Sequence, residues 1–209
     1  MELNRELLER RLRLYGQHPT LIVHRLRYWV WTRRHPNQPW LTPASVEYLE
    51  RHLTSDMVGI EWGSGRSTAW YARRIKRLTS VEHHAGWHHD VQSGLRDAHL
   101  SNVDYRLVPL DHPESEGTVP VYDPIPRYVA VIDDIGADPL DFVVVDGHYR
   151  QACVRAVMPK LRPGGLLLID DTSMLADLAQ WGVPSTWEVA HQSSNGLKTT
   201  TIWRKPPTE

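Results

Sequence analysis

The chain has 209 residues and one cysteine, Cys153, with a formal charge of -1. That is room for one substantial core but not for two comfortable domains, and the balance carries no bulk basicity that would point to nucleic acid. A lone cysteine excludes a disulfide framework and a thiolate cluster, and no apolar stretch approaches the ~18 residues of a membrane span. A soluble, cytoplasmic protein without membrane contact is the expectation. Residues 1–39 hold eight arginines against three glutamates, a local surplus that reads first as a solvated or internally paired helix face.

Taken in chain order, Leu3, Leu7, Leu8, Leu12 and Tyr15 recur at helical spacing and predict an amphipathic helix over 2–15. A second helix is predicted over Leu21 to Trp31, and "RRHPNQPW" breaks the chain after it. Thr42 as N-cap and Pro43 at the first helical position start a third helix that runs to about Leu53. From Met57 the pattern changes to short apolar runs alternating with helical segments. "MVGIEW", "LTSVE", "VDYRLVPL", "DFVVVD" and "GLLLID" read as strands. Helices are predicted over 67–76, 87–98, near 124–134 and over 149–160. Five strands joined by helical crossovers predict an α/β, doubly wound, mostly parallel sheet. "STWEVAHQ" and "KTTTIWR" flank "SSNG" and add an antiparallel C-terminal hairpin, giving a seven-stranded sheet behind an N-terminal helical cap. The boundaries follow: a cap over 1–56, a main domain over 57–205, and "KPPTE" as a frayed end.

The glycine-rich stretch "EWGSGRST" at 61–68 raises the question of what it holds. A P-loop needs a lysine after its last glycine, and none is present. A dinucleotide loop needs a third glycine where Thr68 stands, and a β-branched side chain there keeps the helix off the strand. What remains is an acid, Glu61, before Gly63 and Gly65, with Ser64 between them and Ser67 and Thr68 opening the helix. A carboxylate there repels a phosphate and attracts an ammonium, which suits a phosphate-free cofactor with a cationic amino-acid end.

These residues, with Glu82 closing the second strand, "DFVVVDG" at 141–147 and "LRPGGLLLIDD" at 161–171, resemble the Rossmann-like (class I) S-adenosylmethionine-dependent methyltransferases. The resemblance is to small bacterial types whose first motif reads acid-Trp-Gly-Ser-Gly-x-Ser-Thr and, more distantly, to catechol O-methyltransferases. It implies S-adenosylmethionine as cofactor, with Glu61, Gly63, Ser64, Gly65, Ser67 and Thr68 around its amino-acid end. Glu82 would meet the ribose hydroxyls and His83 the adenine edge, with Leu110, Asp111 and Asp146 as further cofactor neighbours. The catechol type binds Mg²⁺ through an acid after the fourth strand and a pair after the fifth, positions held here by Asp146, Asp170 and Asp171. It also carries a lysine base where this chain has Tyr149, so His148 becomes the candidate base beside Asp146.

The bland alternatives stand alongside. Asp146 can be a strand-end hydrogen-bonding residue, His148 a loop histidine, and Arg150 a partner of the acids or a ligand for a substrate carboxylate. His83, His84, His88 and His89 straddle a strand end and a helix start, which disfavours a transition-metal site. Trp62, Trp70 and Trp87 read as packing around the cofactor loop. Tyr28, Trp29, Trp31 and Trp40 offer aromatic surface to a planar acceptor, or glue the cap to the sheet, or form a homodimer face. Loop 111–122 is a second lid candidate. The expected reaction is methyl transfer to a small-molecule hydroxyl. N-methylation or a peptide acceptor is the second reading, and a silent cofactor-binding protein the third. "DGHY" stands where base-amino methyltransferases carry Asn/Asp-Pro-Pro-aromatic, which disfavours nucleic acid.

Overall fold

The computed structural model describes residues 19–113, 122–136 and 139–207. The helix expected over 2–15 and most of loop 111–122 lie outside the described residues. Two helices precede the sheet, α1 (Thr20–Arg34) and α2 (Pro43–His52). Then β1 (Val58–Trp62), α3 (Arg66–Ala72), β2 (Arg77–Glu82), α4 (Ala85–Asp97) and β3 (Val103–Leu107) form the first half. The second half is α5 (Arg127–Ala130), β4 (Leu140–Val145), α6 (Arg150–Val157) and β5 (Leu161–Ile169), closed by β6 (Glu188–Ser194) and β7 (Thr199–Arg204).

The seven strands lie in the order β3-β2-β1-β4-β5-β7-β6. β1 to β5 are parallel, and β7 runs antiparallel between β5 and β6. All six residues of β4 are buried, because helices cover both faces of the sheet. Val143 and Val145 enter one core with Ile60, Trp62, Val154 and Trp203. Phe142 and Val144 enter the other, with Leu49, Trp70, Tyr71 and Ile202. This alternation puts the strand's two side-chain rows into two separate layers.

Several boundaries move for identifiable reasons. The helix expected to reach residue 76 stops at Ala72, where Asn102 Nδ2 donates to the carbonyls of Ala72 (2.8 Å) and Ile75 (3.0 Å) and relieves the helix of continuing. The helix near 124–134 is a single α turn followed by a 3-10 turn, Val131–Asp134; Pro124 and Pro126 hold the chain extended just before it. The tail is anchored rather than frayed at its start: Lys205 N donates to Gly165 O at 3.0 Å and its ammonium to Met158 O.

The hairpin turn decides where the cap sits. Asn195 Oδ1 accepts from the amides of Leu197 and Lys198, and Gly196 takes φ +81°. A Cβ on Gly196 would lie 2.5 Å from the His24 ring, so α1 rests directly on this turn. Because β7 is antiparallel to β5, the turn stands at the carboxyl ends of the parallel strands. That is where ligands of open α/β sheets sit.

Candidate cofactor and acceptor site

The first strand ends in a loop whose last two hydroxyls, Ser67 and Thr68, turn inward onto Glu61. Glu61 is fully buried and accepts from Ser67 Oγ, Thr68 Oγ1 (2.7 Å) and Ser80 Oγ (2.8 Å). Burial pushes its carboxyl up to about 7 against the lowering effect of these hydroxyls. Thr68 Oγ1 also accepts from Gly65 N at 3.0 Å. Glu61 therefore ties the start of α3 to β2, and its carboxylate is not presented to an ammonium as its position in the motif suggests. The physical reason is local: two hydroxyl residues six and seven positions on reach back over the turn. Gly63 takes φ +92°, and a Cβ there would meet Asp146 carbonyl atoms at 2.7 Å. The loop after β1 thus packs backbone to backbone on the loop after β4.

Glu82, at the end of β2, is nearly buried. Its Oε1 accepts from the amides of His83 (2.9 Å) and His84 (2.8 Å), and its Oε2 from Ser64 Oγ at 2.8 Å. Ser64 Oγ also bonds Tyr105 Oη at 2.7 Å. A cavity of about 610 Å³ opens over this carboxylate, a volume suited to a small-molecule cofactor. Gly63, Ser64, Glu82 and His83 line it from the β1 and β2 side, Asp146, Gly147 and His148 from the β4 side. The His83 and His148 rings meet edge to face with centroids 4.3 Å apart. Trp87, on α4, donates its Nε1 to Ser64 O at 2.8 Å and closes the rim. Sequence reasoning singled out Gly63, Ser64, Glu82, His83, Asp146 and His148, and the fold brings all six to one cavity. Gly65, Ser67 and Thr68 hold the loop from behind rather than line it. Leu110 packs against the core, and Asp111 pairs with His112 and Arg127; neither lines the cavity. The His112 and Arg127 contacts hold Asp111 at about 2, below the usual carboxylate range.

The acids after β4 and β5 are tied to cationic and hydroxyl partners. Asp170 is buried; one of its oxygens binds the Lys198 ammonium and the other accepts from Thr200 Oγ1 at 2.5 Å. Asp146 pairs with Arg150 at 3.2 Å. Arg150 also donates to the carbonyls of Gly147 (2.9 Å) and Asp170 (2.5 Å), which staples the ends of the two strands together. Asp171 takes a left-handed conformation and accepts from Ser173 Oγ at 2.9 Å. Burial, then the charge of Asp170, raises the Asp146 carboxyl above its ordinary range. Among the described residues no group of three or more His, Cys, Asp or Glu side chains is arranged to hold a metal ion. Of the three acids expected to hold Mg²⁺, Asp146 is paired with Arg150, Asp170 with Lys198, and Asp171 with the Ser173 hydroxyl. No tight motif announced Lys198: it lies 28 residues beyond Asp170 and reaches it only through the hairpin.

The cap meets this region through Trp40. Its carbonyl accepts from Lys198 Nζ, and its ring stacks near Trp87 at 6.4 Å with the Arg66 guanidinium 5.1 Å from its centre. Trp40 also lines a second cavity, of about 820 Å³, together with Leu21, Tyr28, Trp29, Leu197 and Lys198 among others. Tyr28 Oη donates to Leu41 O at 3.2 Å. Burial, then the charges of Asp170 and Asp146, raise its phenol above the ordinary tyrosine range.

Comparison with known proteins agrees with this geometry. A family model described as a methyltransferase domain matches residues 60–172, more than half of the chain. The chain belongs to this methyltransferase family. No curated protein matches it. Among solved structures, a methyltransferase-like protein from Silicibacter pomeroyi is 22% identical, with a TM-score of 0.57 over 82% of this chain and 91% of that one. An rRNA methylase from Streptococcus thermophilus is 13% identical, with a TM-score of 0.54 over 77% and 93%. A candidate methyltransferase from Streptococcus mutans, solved in complex with SAH, is 11% identical, with a TM-score of 0.55 over 76% and 94%. At these identities the likeness is one of fold: a Rossmann-like, class I S-adenosylmethionine-dependent methyltransferase domain, whose cofactor is S-adenosylmethionine. No helix among the described residues is long and apolar enough to cross a membrane.

Proposed function

We propose that the protein transfers a methyl group from S-adenosylmethionine to a small-molecule acceptor at a hydroxyl oxygen, without a divalent metal. The carrying observation is the stacking of Trp87, which lines the cavity over Glu82, on Trp40, which lines the aromatic groove beneath α1. Cofactor and acceptor would thus occupy two spaces linked by this tryptophan pair.

In this reading Glu82 accepts the ribose hydroxyls, His83 and Trp87 border the adenine, and Gly63 and Ser64 face the amino-acid end. Glu61, Ser67 and Thr68 act from behind, through the shape of the loop. The bound sulfonium supplies a methyl group already activated for displacement, so the chain's task is to align the acceptor and exclude water. His148, on the cavity wall beside Asp146, takes the hydroxyl proton. Residues 57–205 form the methyltransferase domain and residues 1–56 the acceptor-side extension. The ion pairs on Asp146 and Asp170 favour this metal-free version over the catechol type. Ile22 and Leu26 are exposed one turn apart on α1, which favours pairing of two copies through that helix. Light scattering on Ile22→Glu/Leu26→Glu tests the pairing, and an unchanged mass would sink it.

The decisive experiment is calorimetry with S-adenosylhomocysteine, followed by transfer of labelled methyl to a panel of hydroxyl, amine and peptide acceptors with and without EDTA. Binding, transfer to a hydroxyl and indifference to EDTA are expected. Activity abolished by EDTA and restored by Mg²⁺ would overturn the metal-free reading. Transfer only to amines or peptides would replace the acceptor class.

A further inference from the structure

Lys198 occupies an unusual place. Its ammonium is clamped between the buried carboxylate of Asp170 and the carbonyl of Trp40, yet 18% of its side chain stays exposed, and it lines the groove beneath α1. An ammonium has three N–H donors. Asp170 and Trp40 account for two of them. The groove walls are otherwise those of a site for a flat ring: Tyr28, Trp29 and Trp40 present aromatic surface, with Leu21 and Leu197 beside them. Aromatic walls with one fixed cation are complementary to a planar molecule that carries a single negative oxygen. Arg25 lines the same space. The cation also belongs electrostatically to the transfer site, since its charge acts on Asp146 in the wall of the cofactor cavity.

We propose that Lys198 is the acceptor-orienting residue, and that the acceptor is a phenol whose ring lies between Tyr28, Trp29 and Trp40, held with its oxygen on the Lys198 ammonium as the oxyanion left when its proton passes to His148. The proposal rests on the methyl-transfer reading above and deepens it: the hairpin supplies the positive charge that a bound metal supplies elsewhere. Asp170 is then a positioning residue. It aims Lys198, and Thr200 fixes its second oxygen.

The test uses the full chain saturated with S-adenosylhomocysteine and three probes of one shape: 4-nitrophenol, 4-nitrobenzoate and 4-nitroanisole. Affinities are read by calorimetry, and the ionisation of bound nitrophenol by its visible absorbance. The wild type should bind at least one anionic probe about tenfold or more tightly than the neutral ether, as expected of a charge-assisted hydrogen bond. It should also draw bound nitrophenol toward its phenolate. Phenolate preferred over benzoate is the order expected of a phenol acceptor, and the reverse order would overturn it. Lys198→Met should abolish the preference of the anionic probes over the ether. Because that variant strands a buried carboxylate, Lys198→Met/Asp170→Asn serves as the second form and should behave alike. Trp29→Ala, at a half-exposed position, should weaken all three probes together without moving the phenolate band. Anion preference that survives both lysine variants, or no probe binding while S-adenosylhomocysteine binds, would overturn the proposal. Failure of S-adenosylhomocysteine to bind would instead sink the underlying reading, and the proposal with it.

Discussion

Gly63 and Gly147 meet backbone to backbone between the ends of β1 and β4. A Cβ on Gly147 would lie 3.0 Å from Gly63 N and closer still to Tyr128 Oη, and one on Gly63 would lie 2.8 Å from Gly147 N. The floor of the cofactor cavity is therefore main chain, approached so closely that no side chain fits at either position. Gly63→Ala additionally forces alanine to φ +92°. Each substitution should cost about 2 kcal/mol or more of stability and weaken S-adenosylhomocysteine binding. Urea unfolding and calorimetry measure both. A Gly147→Ala variant with wild-type stability and affinity would show that the two loops separate freely.

Glu61 makes stability depend on pH. Its carboxyl is raised from 4.5 to about 7 in the folded chain, so within that window the folded state holds a proton that the unfolded chain has released. Stability from this group therefore rises as pH falls from about 7 toward 4.5 and is lost as pH rises through the folded value. Asp146, raised in the same direction, adds to the slope. Glu61→Gln should flatten the denaturation profile between about pH 5 and about pH 7.5 relative to wild type, to the slope left by the remaining groups. An unchanged slope would mean that Glu61 stays ionised throughout.

Trp87→Phe keeps the aromatic face toward Trp40 but removes the donor to Ser64 O. The loss of one hydrogen bond of ordinary strength predicts about a three- to tenfold drop in S-adenosylhomocysteine affinity, with little change in unfolding temperature because Trp87 is partly exposed. Affinity equal to wild type would show that the contact does not hold the loop in its binding form.

Glu82→Gln addresses the ribose directly. The substituted amide retains one carbonyl acceptor, so the amides of His83 and His84 keep a partner while the second carboxylate oxygen is lost to the Ser64 side. Binding of S-adenosylhomocysteine should fall by about tenfold or more, whereas a deoxygenated analogue lacking both ribose hydroxyls should bind wild type and variant alike. An equal loss for the analogue would place Glu82 in loop support alone.

The strand pattern and the glycine turn were legible because both are local signals: apolar runs of strand length, and acid-x-Gly-x-Gly at the end of the first. Glu82, His83, Asp146 and His148 were legible for a related reason, since in a doubly wound sheet the residue after each strand faces the crevice. Glu61 read in isolation suggested a charge facing the ligand. Its inward turn depends on Ser80 from a neighbouring strand, which spacing does not reveal. Leu110 and Asp111 follow the third strand, yet Arg127 draws Asp111 away from the cavity. Lys198 was the least legible of all. Its role depends on a hairpin folding back antiparallel to β5, and nothing near it in the chain indicates that an acid waits there.

The contact of Gly196 with His24, together with the Lys198 clasp on Trp40, has an implication for building chimaeras. The turn at 194–198 and the segment 24–42 form one packed unit made from segments far apart in the chain. Exchanging either piece alone with a relative would mismatch the two halves, so a graft of the cap must carry both.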